Sequence, residues 1–379
     1  MRTERALGRL VSVLDRLVPK GQTTVLRTTP DISDQGLVLL AALERRGLGP
    51  VTWLVDDVGS RLVGRLNCTV LPARSLRATW AYLRAPLVIH THGAFGSRSG
   101  GRRKTFLNIW HGMPVKRLEP NSEVGRNQTD LTIATAPVHA RHLAETWGIP
   151  IDRVRLTGLP RNDLLARPRP DMPVTLCKLT GGRPLVVWLP TFRTTVVGNA
   201  YTDGQDLATA FQFADADPVS INELMTRLGL HCLVKTHPLA PKPEVAELSN
   251  LTIWSNDEME AADLTLYEIL AMADLLVTDH SSVWIDFLLT QRPMVFAISD
   301  RHEYETGRGY YFDDLDALLP GPIVADVAAL EVAVGEALQH PAAWAEQRRS
   351  ALEEHHVHVD AGSADRVAEL AVELLGDGR

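Results

Sequence analysis

Of 379 residues, 45% are apolar and 22% charged, and the formal net charge is −7; this fits folded soluble domains, with enough chain for two of ordinary size. No run nears the roughly 18 consecutive apolar residues of a membrane span, and the first residues show neither the compact apolar core nor the small-residue cleavage site of a secretory leader. Three scattered cysteines, Cys68, Cys177 and Cys232, speak against a disulfide framework or a zinc site and for a reducing, cytoplasmic setting.

The charge is uneven. Residues 1–180 hold 27 Lys and Arg against 14 Asp and Glu, whereas residues 181–379 hold 12 against 32. A basic half points to an anionic partner such as a membrane surface, nucleic acid or a polyphosphate, against the plainer reading of chance surface composition. The first element carries part of that charge. Leu7, Leu10, Val11, Leu14, Leu17 and Val18 recur at helical spacing, with Arg2, Arg5, Arg9, Arg16 and Lys20 around them. This is either a basic amphipathic helix lying on an anionic membrane or an ordinary helix packed on the first domain; periodicity does not separate the two.

Strands are then expected at Thr23–Thr28, Val51–Asp56, Leu87–His92, Thr105–His111, Leu131–Thr135 and Val154–Thr157, with helices near Asp34–Arg46, Ser75–Leu83 and Pro137–Trp147. Three prolines in Arg167–Pro173 make a stiff connection, so the domain boundary is placed there. The second half alternates again. Strands are expected at Pro184–Leu189, His231–Lys235, Leu251–Trp254, Leu275–Thr278 and Met294–Ile298, and helices near Ile221–Leu228, Leu264–Met272 and Ser281–Thr290. Both halves read as α/β, doubly wound parallel sheets, a first domain over residues 1–170 and a second over 171–379. Ligands of such sheets bind at the carboxyl ends of the strands. His92, His111, Arg193, His237 and His280 fall there.

The motifs concentrate at those ends. Asp279-His280-Ser281-Ser282 follows an apolar strand and precedes a helix. A helix start offers backbone N–H groups and the positive end of a dipole to phosphate, although Ser281 also reads as a plain N-cap. Trp110-His111-Gly112-Met113-Pro114-Val115-Lys116 holds His111 on a tight turn, where a neutral imidazole accepts a proton from a hydroxyl, or is simply structural. Gly158-Leu159-Pro160-Arg161-Asn162-Asp163 offers Arg161 to a phosphate, or only a turn and a cap. Pro190-Thr191-Phe192-Arg193 and Lys235-Thr236-His237-Pro238 add cations that, with Ser281 and Ser282, compose a pyrophosphate cradle. Asp215-Ala216-Asp217 reads as a solvated acidic loop and not a metal site. Glycine-rich dinucleotide and P-loop motifs are absent.

Taken in order, these motifs, with Arg292-Pro293, Gly309-Tyr310-Tyr311-Phe312-Asp313, Pro320-Gly321-Pro322, Asp360-Ala361-Gly362-Ser363-Ala364 and Arg366-Val367, resemble the CDP-glycerol glycerophosphotransferase family of wall teichoic acid synthesis, over roughly residues 87–370. The resemblance implies a GT-B-like fold, two Rossmann-like domains facing a central cleft, the first serving the acceptor and the membrane and the second the CDP donor. It implies transfer of glycerol phosphate from CDP-glycerol to a hydroxyl of a lipid-linked saccharide, with release of CMP, at the cytoplasmic face of the membrane. His111 and His237 are then the catalytic candidates. Arg161, Thr191, Arg193, Lys235, Thr278, Asp279, His280, Ser281, Ser282 and Asp286 are the donor-binding candidates, and His92 and Lys116 lie on the acceptor side. No metal or other cofactor is expected, and no nucleic-acid partner. The family usually has Tyr where this chain has His280, which bears on nucleotide or polyol preference. The chain length favours one addition, as by a primase, over polymerisation. The alternatives are a teichoic acid polymerase, a CDP-ribitol ribitolphosphotransferase and, further off, a nucleotide-sugar 2-epimerase or a basic nucleic-acid-binding module.

Overall fold

Short apolar runs dictate the architecture. In β1 (Thr24–Arg27) and β2 (Val51–Val55), Val25, Leu26, Trp53, Leu54 and Val55 are buried at successive positions. Burial on both faces is the mark of parallel strands joined by crossover helices. The structure, a computed structural model, describes residues 11, 13–95, 104–118, 128–190, 211, 213, 215–236, 248–299, 301, 309–312 and 314–376. Thr191, Arg193, His237, the first ten residues and Arg98–Arg103 lie outside them. The chain forms two units: Met1–Met113, Leu118–Ala166 and His355–Arg379 in one, Pro114–Arg117 and Arg167–Glu354 in the other.

The first unit adds β3 (Thr69–Pro72), β4 (Leu87–His90), β5 (Thr105–Asn108), β6 (Leu131–Ala134) and β7 (Val154–Leu156). Among the described residues its seven strands are parallel, in the order β3-β2-β1-β4-β5-β6-β7. Sequence reading misses β3, an edge strand closed by Pro72, because its residues are half-exposed and lack an apolar run. Helices α1 (Asp34–Arg45), α2 (Leu76–Arg84) and α3 (Pro137–Trp147) join the strands. Ser33 caps α1 by accepting from the Gly36 N–H. Gly36 itself permits the close approach of α1 to the sheet: a Cβ there would lie 2.5 Å from the Trp53 ring.

Residues 13–17 are helical, and Val11 and Asp15 are buried. Asp15 pairs with Lys104 and, at 2.7 Å, with Lys20, while Lys104 stands 3.6 Å from the centroid of the Tyr82 ring. The described part of the N-terminal helix is thus packed on its unit along one face. Lys104 is buried. Burial draws its pKa down to about 8, against the pull of Asp15.

Among its described residues the second unit has six parallel strands, β8 (Leu185–Leu189), β9 (His231–Lys235), β10 (Leu251–Trp254), β11 (Leu275–Thr278), β12 (Met294–Ala297) and β13 (Ile323–Val324), in the order β10-β9-β8-β11-β12-β13. Around them run α4 (Pro218–Leu228), α5 (Leu266–Met272), α6 (Val283–Phe287) and α7 (Val327–Gln339). Trp188, Phe211, Phe213, Leu224 and Val277 belong to its core. The Asp215-Ala216-Asp217 loop serves helix starts: Asp217 forms a capping box with Ser220 on α4, and Asp215 accepts from the Val327 N–H of α7.

Two segments depart from the expected division at residue 170. Pro114–Arg117 belongs to the second unit, and the chain returns to the first at His355, ending in α8 (Ser363–Gly376). Asp163 accepts from the N–H groups of Ser363 at 2.8 Å and Ala364 at 3.1 Å, capping a helix 200 residues further on. Gly158, at φ 76°, admits the Ser363 hydroxyl where a Cβ would come within 2.4 Å of it. The Gly158–Asp163 motif and the Asp360–Ala364 motif are therefore two halves of one junction. Replacing Asp163 with Ala strands two buried N–H groups, a loss of about 1–3 kcal/mol. Thermal unfolding of Asp163→Ala should fall by several degrees and amide exchange should quicken in α8 first; an unchanged melting temperature contradicts this role.

Candidate active site

In a parallel sheet the crevice lies where the strand order reverses. In the first unit that is between β1 and β4. The Thr91 hydroxyl accepts from the Thr29 N–H at 2.9 Å across this point and meets His92 Nδ1 at 2.9 Å. If Thr91 gives its one proton to Nδ1, neutral His92 carries its own on Nε2. His92 lies on the bend after β4 and is exposed at one edge, yet the rings stacked on it exclude enough water to lower its pKa.

His111 is exposed, and its ring stacks on that of His92 at 4.5 Å between centroids and 12° between planes. Trp110 flanks it at 4.0 Å. The expected strand through His111 ends three residues early, at Asn108. There the Asn108 carboxamide oxygen takes the Trp110 N–H at 2.9 Å, and Trp110 adopts φ 45°, which turns the chain out of the sheet. Bulky residues rarely hold a positive φ, so this turn depends on its supports.

The sequence reading passed over several of those supports. His90 is fully buried; its Nε2 donates to the Gln128 carbonyl at 2.6 Å and its Nδ1 accepts from the Gly93 N–H at 2.9 Å. Burial lowers its pKa to about 4, so it stays neutral and rigidly bonded at neutral pH. The Gln128 side chain takes the Ala94 N–H, and Gln35, in the first turn of α1, reaches the carbonyls of Ile109 and Trp110. From sequence, His90 reads only as a strand residue. Arg161 is half-buried on the short turn Pro160–Asn162, and its own N–H is held by Gln35.

In the second unit the order reverses between β8 and β11. Thr278 closes this point by donating to the Leu189 carbonyl at 3.0 Å. Asp279 is buried and takes the Ser281 N–H, and the Ser281 hydroxyl takes the Val283 N–H. The helix α6 starts at Val283, two residues later than expected, so Ser281 and Ser282 form the turn before it, half-exposed. Asp286 is buried and accepts from the Tyr267 hydroxyl at 2.5 Å, which ties α6 to α5. His280 is buried with its Nδ1 2.5 Å from the Tyr310 hydroxyl. Tyr310 bridges antiparallel to Lys116, which places Lys116 in this unit and not in the first, where the sequence reading puts it.

Lys235 ends β9 in the same row as Leu189 and Thr278, by the strand register carried one residue on. It is buried, it has no hydrogen-bond or ion-pair partner among the described residues, and desolvation lowers its pKa to about 8. An ammonium kept from water without a counter-charge is stabilised by any anion that reaches it.

Two Rossmann-like units with polar side chains gathered at both reversal points define a GT-B-like α/β protein. The chain belongs to the CDP-glycerol:poly(glycerophosphate) glycerophosphotransferase family, whose pattern matches residues 14–373. It is 25% identical over 258 residues to the teichoic acid ribitol-phosphate primase of Bacillus spizizenii, covering 66% of this chain and 60% of that one. To the teichoic acid glycerol-phosphate transferase of Staphylococcus aureus it is 27% identical, over 60% of this chain and 61% of that one. To the teichoic acid poly(glycerol phosphate) polymerase of Bacillus subtilis it is 28% identical, over 71% and 36%. The chain thus spans less than two thirds of the length of these relatives. Among solved structures, the wall teichoic acid polymerase TagF superposes with a TM-score of 0.78 at 17% identity, covering 99% of this chain and 95% of that one. The MnaA–UDP structure from S. aureus superposes at 0.59 and 13%, covering 93% and 97%. These likenesses show the fold.

The Lys235 environment sets a pH dependence. Its amine binds its proton less tightly folded than unfolded, so in the free protein it is charged below about 8 and neutral above. Binding of inorganic pyrophosphate, measured by calorimetry, should therefore take up protons near that pH and weaken as pH rises through it. Lys235→Met should bind weakly and lose that dependence. Wild-type affinity that is flat across this range contradicts an anion site at Lys235.

Proposed function

We propose that the protein transfers glycerol phosphate from CDP-glycerol to a hydroxyl of a membrane-anchored, lipid-linked saccharide and releases CMP. Family membership supports a transferase of this kind, and TagF structures have been determined after soaking with CDPG. The observation that carries the reading to this chain is Lys235, a buried amine at the carboxyl end of β9, in the row of strand ends that includes Thr278, where the Asp279–Ser282 turn begins two strands away.

In the proposed step His111 takes the proton of the acceptor hydroxyl. The oxygen attacks the β-phosphorus of CDP-glycerol, the bond to the bridging oxygen breaks, and its electron pair leaves with CMP. Charge growing on the leaving phosphate is stabilised by Lys235, the Ser281 and Ser282 hydroxyls and the Ser282 N–H, the Ser281 N–H being held by Asp279. Arg161, Thr191, Arg193 and His237 join this set by resemblance. Thr278, Asp279, His280 and Asp286 shape the turn that presents the serines. Exposure of His111, stacked against the His92 ring, suits a base that meets an incoming hydroxyl. No metal or other cofactor is written into the step, because fixed cations and backbone donors supply the positive charge.

CMP release from CDP-glycerol, assayed with a lipid-linked disaccharide acceptor, tests this. His111→Ala should slow turnover by about 10²–10⁴-fold, and wild-type activity should survive EDTA. Near-normal turnover of His111→Ala removes it as the base, and loss in EDTA with recovery in Mg²⁺ overturns the metal-free step. A second donor, CDP-ribitol, is run in parallel because a ribitol-phosphate primase is among the relatives. Product mass with excess donor distinguishes the single addition proposed from polymerisation.

The acceptor would sit in an anionic leaflet, and no helix among the described residues is long and apolar enough to cross a membrane. We propose that the first unit docks peripherally on the cytoplasmic face. The helical residues 13–17 expose Val13, Leu14 and Leu17, and the neighbouring α2 exposes Leu76 and Trp80, its Arg84 lying over the Trp80 ring at 5.9 Å. The two helices share one core through Val11, Val18, Ala78, Tyr82 and Leu83. Exposed Arg16, Arg77 and Arg84 add roughly 1 kcal/mol each near an anionic surface. Liposome flotation should show binding that requires anionic lipid, weakens with salt, and falls in a Leu76→Glu, Trp80→Glu double variant. Equal binding to neutral liposomes, or an unchanged variant, defeats the proposal.

A further inference from the structure

Resting on the reading of His111 as the base, we infer that Gln35 is the positioning residue that fixes His111 and ties its turn to that of Arg161. Three backbone groups converge on one carboxamide. Nε2 donates to the Ile109 carbonyl at 2.6 Å and to the Trp110 carbonyl at 3.3 Å, and Oε1 accepts from the Arg161 N–H at 3.3 Å. The partners force this orientation, since carbonyls only accept and an N–H only donates. Gln35 is 2% exposed, so water does not replace these bonds.

The residue it grips is the strained one. Trp110 holds φ 45°, and its carbonyl begins the peptide that carries His111. Asn108 secures the Trp110 N–H side of this turn, and Gln35 secures the carbonyl side. Gln35 reaches this far because Gly36 lets α1 sink against Trp53 and Thr28, which carries the first turn of α1 over the strand ends. Its own helix has no need of the side chain, because Ser33 supplies the cap. A glutamine at the second position of a helix, spent on two turns 74 and 126 residues away, is placed for what those turns present. Displacing a reacting group by about 1 Å lowers rate by up to 10²-fold while leaving binding elsewhere intact.

Two variants divide the roles. Gln35→Met fills the same volume and loses all three bonds. Gln35→Glu keeps an acceptor for the Arg161 N–H and sets a carboxylate against the two carbonyls. Each is measured for kcat and for KM of CDP-glycerol by CMP release, and for the His111 ring resonance, assigned with His111→Ala and followed by NMR across pH. Both variants should lose about 10–100-fold in kcat with donor KM within about 3-fold, and the His111 resonance should lose the ring-current shift that stacking on His92 and Trp110 gives it. Variants that melt earlier yet keep wild-type kcat and an unmoved His111 resonance make Gln35 merely structural and overturn the inference. If the wild-type protein releases no CMP from either CDP donor, the transferase reading fails, and the His111 resonance alone decides the positioning role. If neither variant folds, the wild-type Gln35 carboxamide protons decide it: slow exchange with solvent supports the clamp, and exchange at the rate of an exposed glutamine refutes it.

Discussion

Reversal of strand order is the constraint on which the site depends. In each unit successive crossovers run outward in one direction, then start again beside the first strand and run in the other. Helices on the two sides of that point leave to opposite faces, so the carboxyl ends of β1 and β4, and of β8 and β11, are left uncovered. Such ends expose backbone groups that must be bonded by something. Here side chains do it: Thr91 to Thr29 in the first unit, Thr278 to Leu189 in the second. Polar residues are needed at these places for folding, and the same residues leave neighbouring groups aimed at a ligand.

The supports of the His111 turn show how structure and chemistry are shared out. His90, Asn108, Gln128 and Gln35 make bonds that their buried surroundings keep from water, and none is offered to solvent. His92 and His111 stand outside that shell, stacked and reachable. His90 binds a proton near 6.5 when unfolded but only near 4 when folded. Its contribution is therefore complete above the higher value and is lost as pH falls toward the lower. A neutral, twice-bonded imidazole thus stands one strand from an exposed one, the first bound into the architecture and the second left reachable.

Much of this was legible in the residues. Apolar runs of four to six closed by polar residues gave the buried strands, and β9, β10 and β11 begin and end where the runs do. Pro137 at a first helical position and Gly148 in the left-handed region bracketed α3. What was not legible depends on contacts distant in sequence. Nothing local at Asp163 says that it caps a helix at Ser363, so the return of the chain to the first unit was missed. Likewise Lys116 was assigned by its neighbours in sequence, whereas its pairing with Tyr310 assigns it to the other unit. Gln35 carries no motif at all; only the folded chain brings Ile109, Trp110 and Arg161 to its carboxamide. His280 was noticed as a departure from its family, but the phenol it meets, Tyr310, lies 30 residues on.

The signature of the proposed reaction is the fate of one phosphorus atom. Phosphorus-31 NMR of a reaction with CDP-glycerol and a lipid-linked disaccharide follows that atom directly. The β-phosphorus should leave the diphosphate region and appear as a phosphodiester on the acceptor, in step with CMP. A diphosphate that stays intact while the acceptor is unchanged, or release of inorganic phosphate with no phosphodiester formed, would contradict the account.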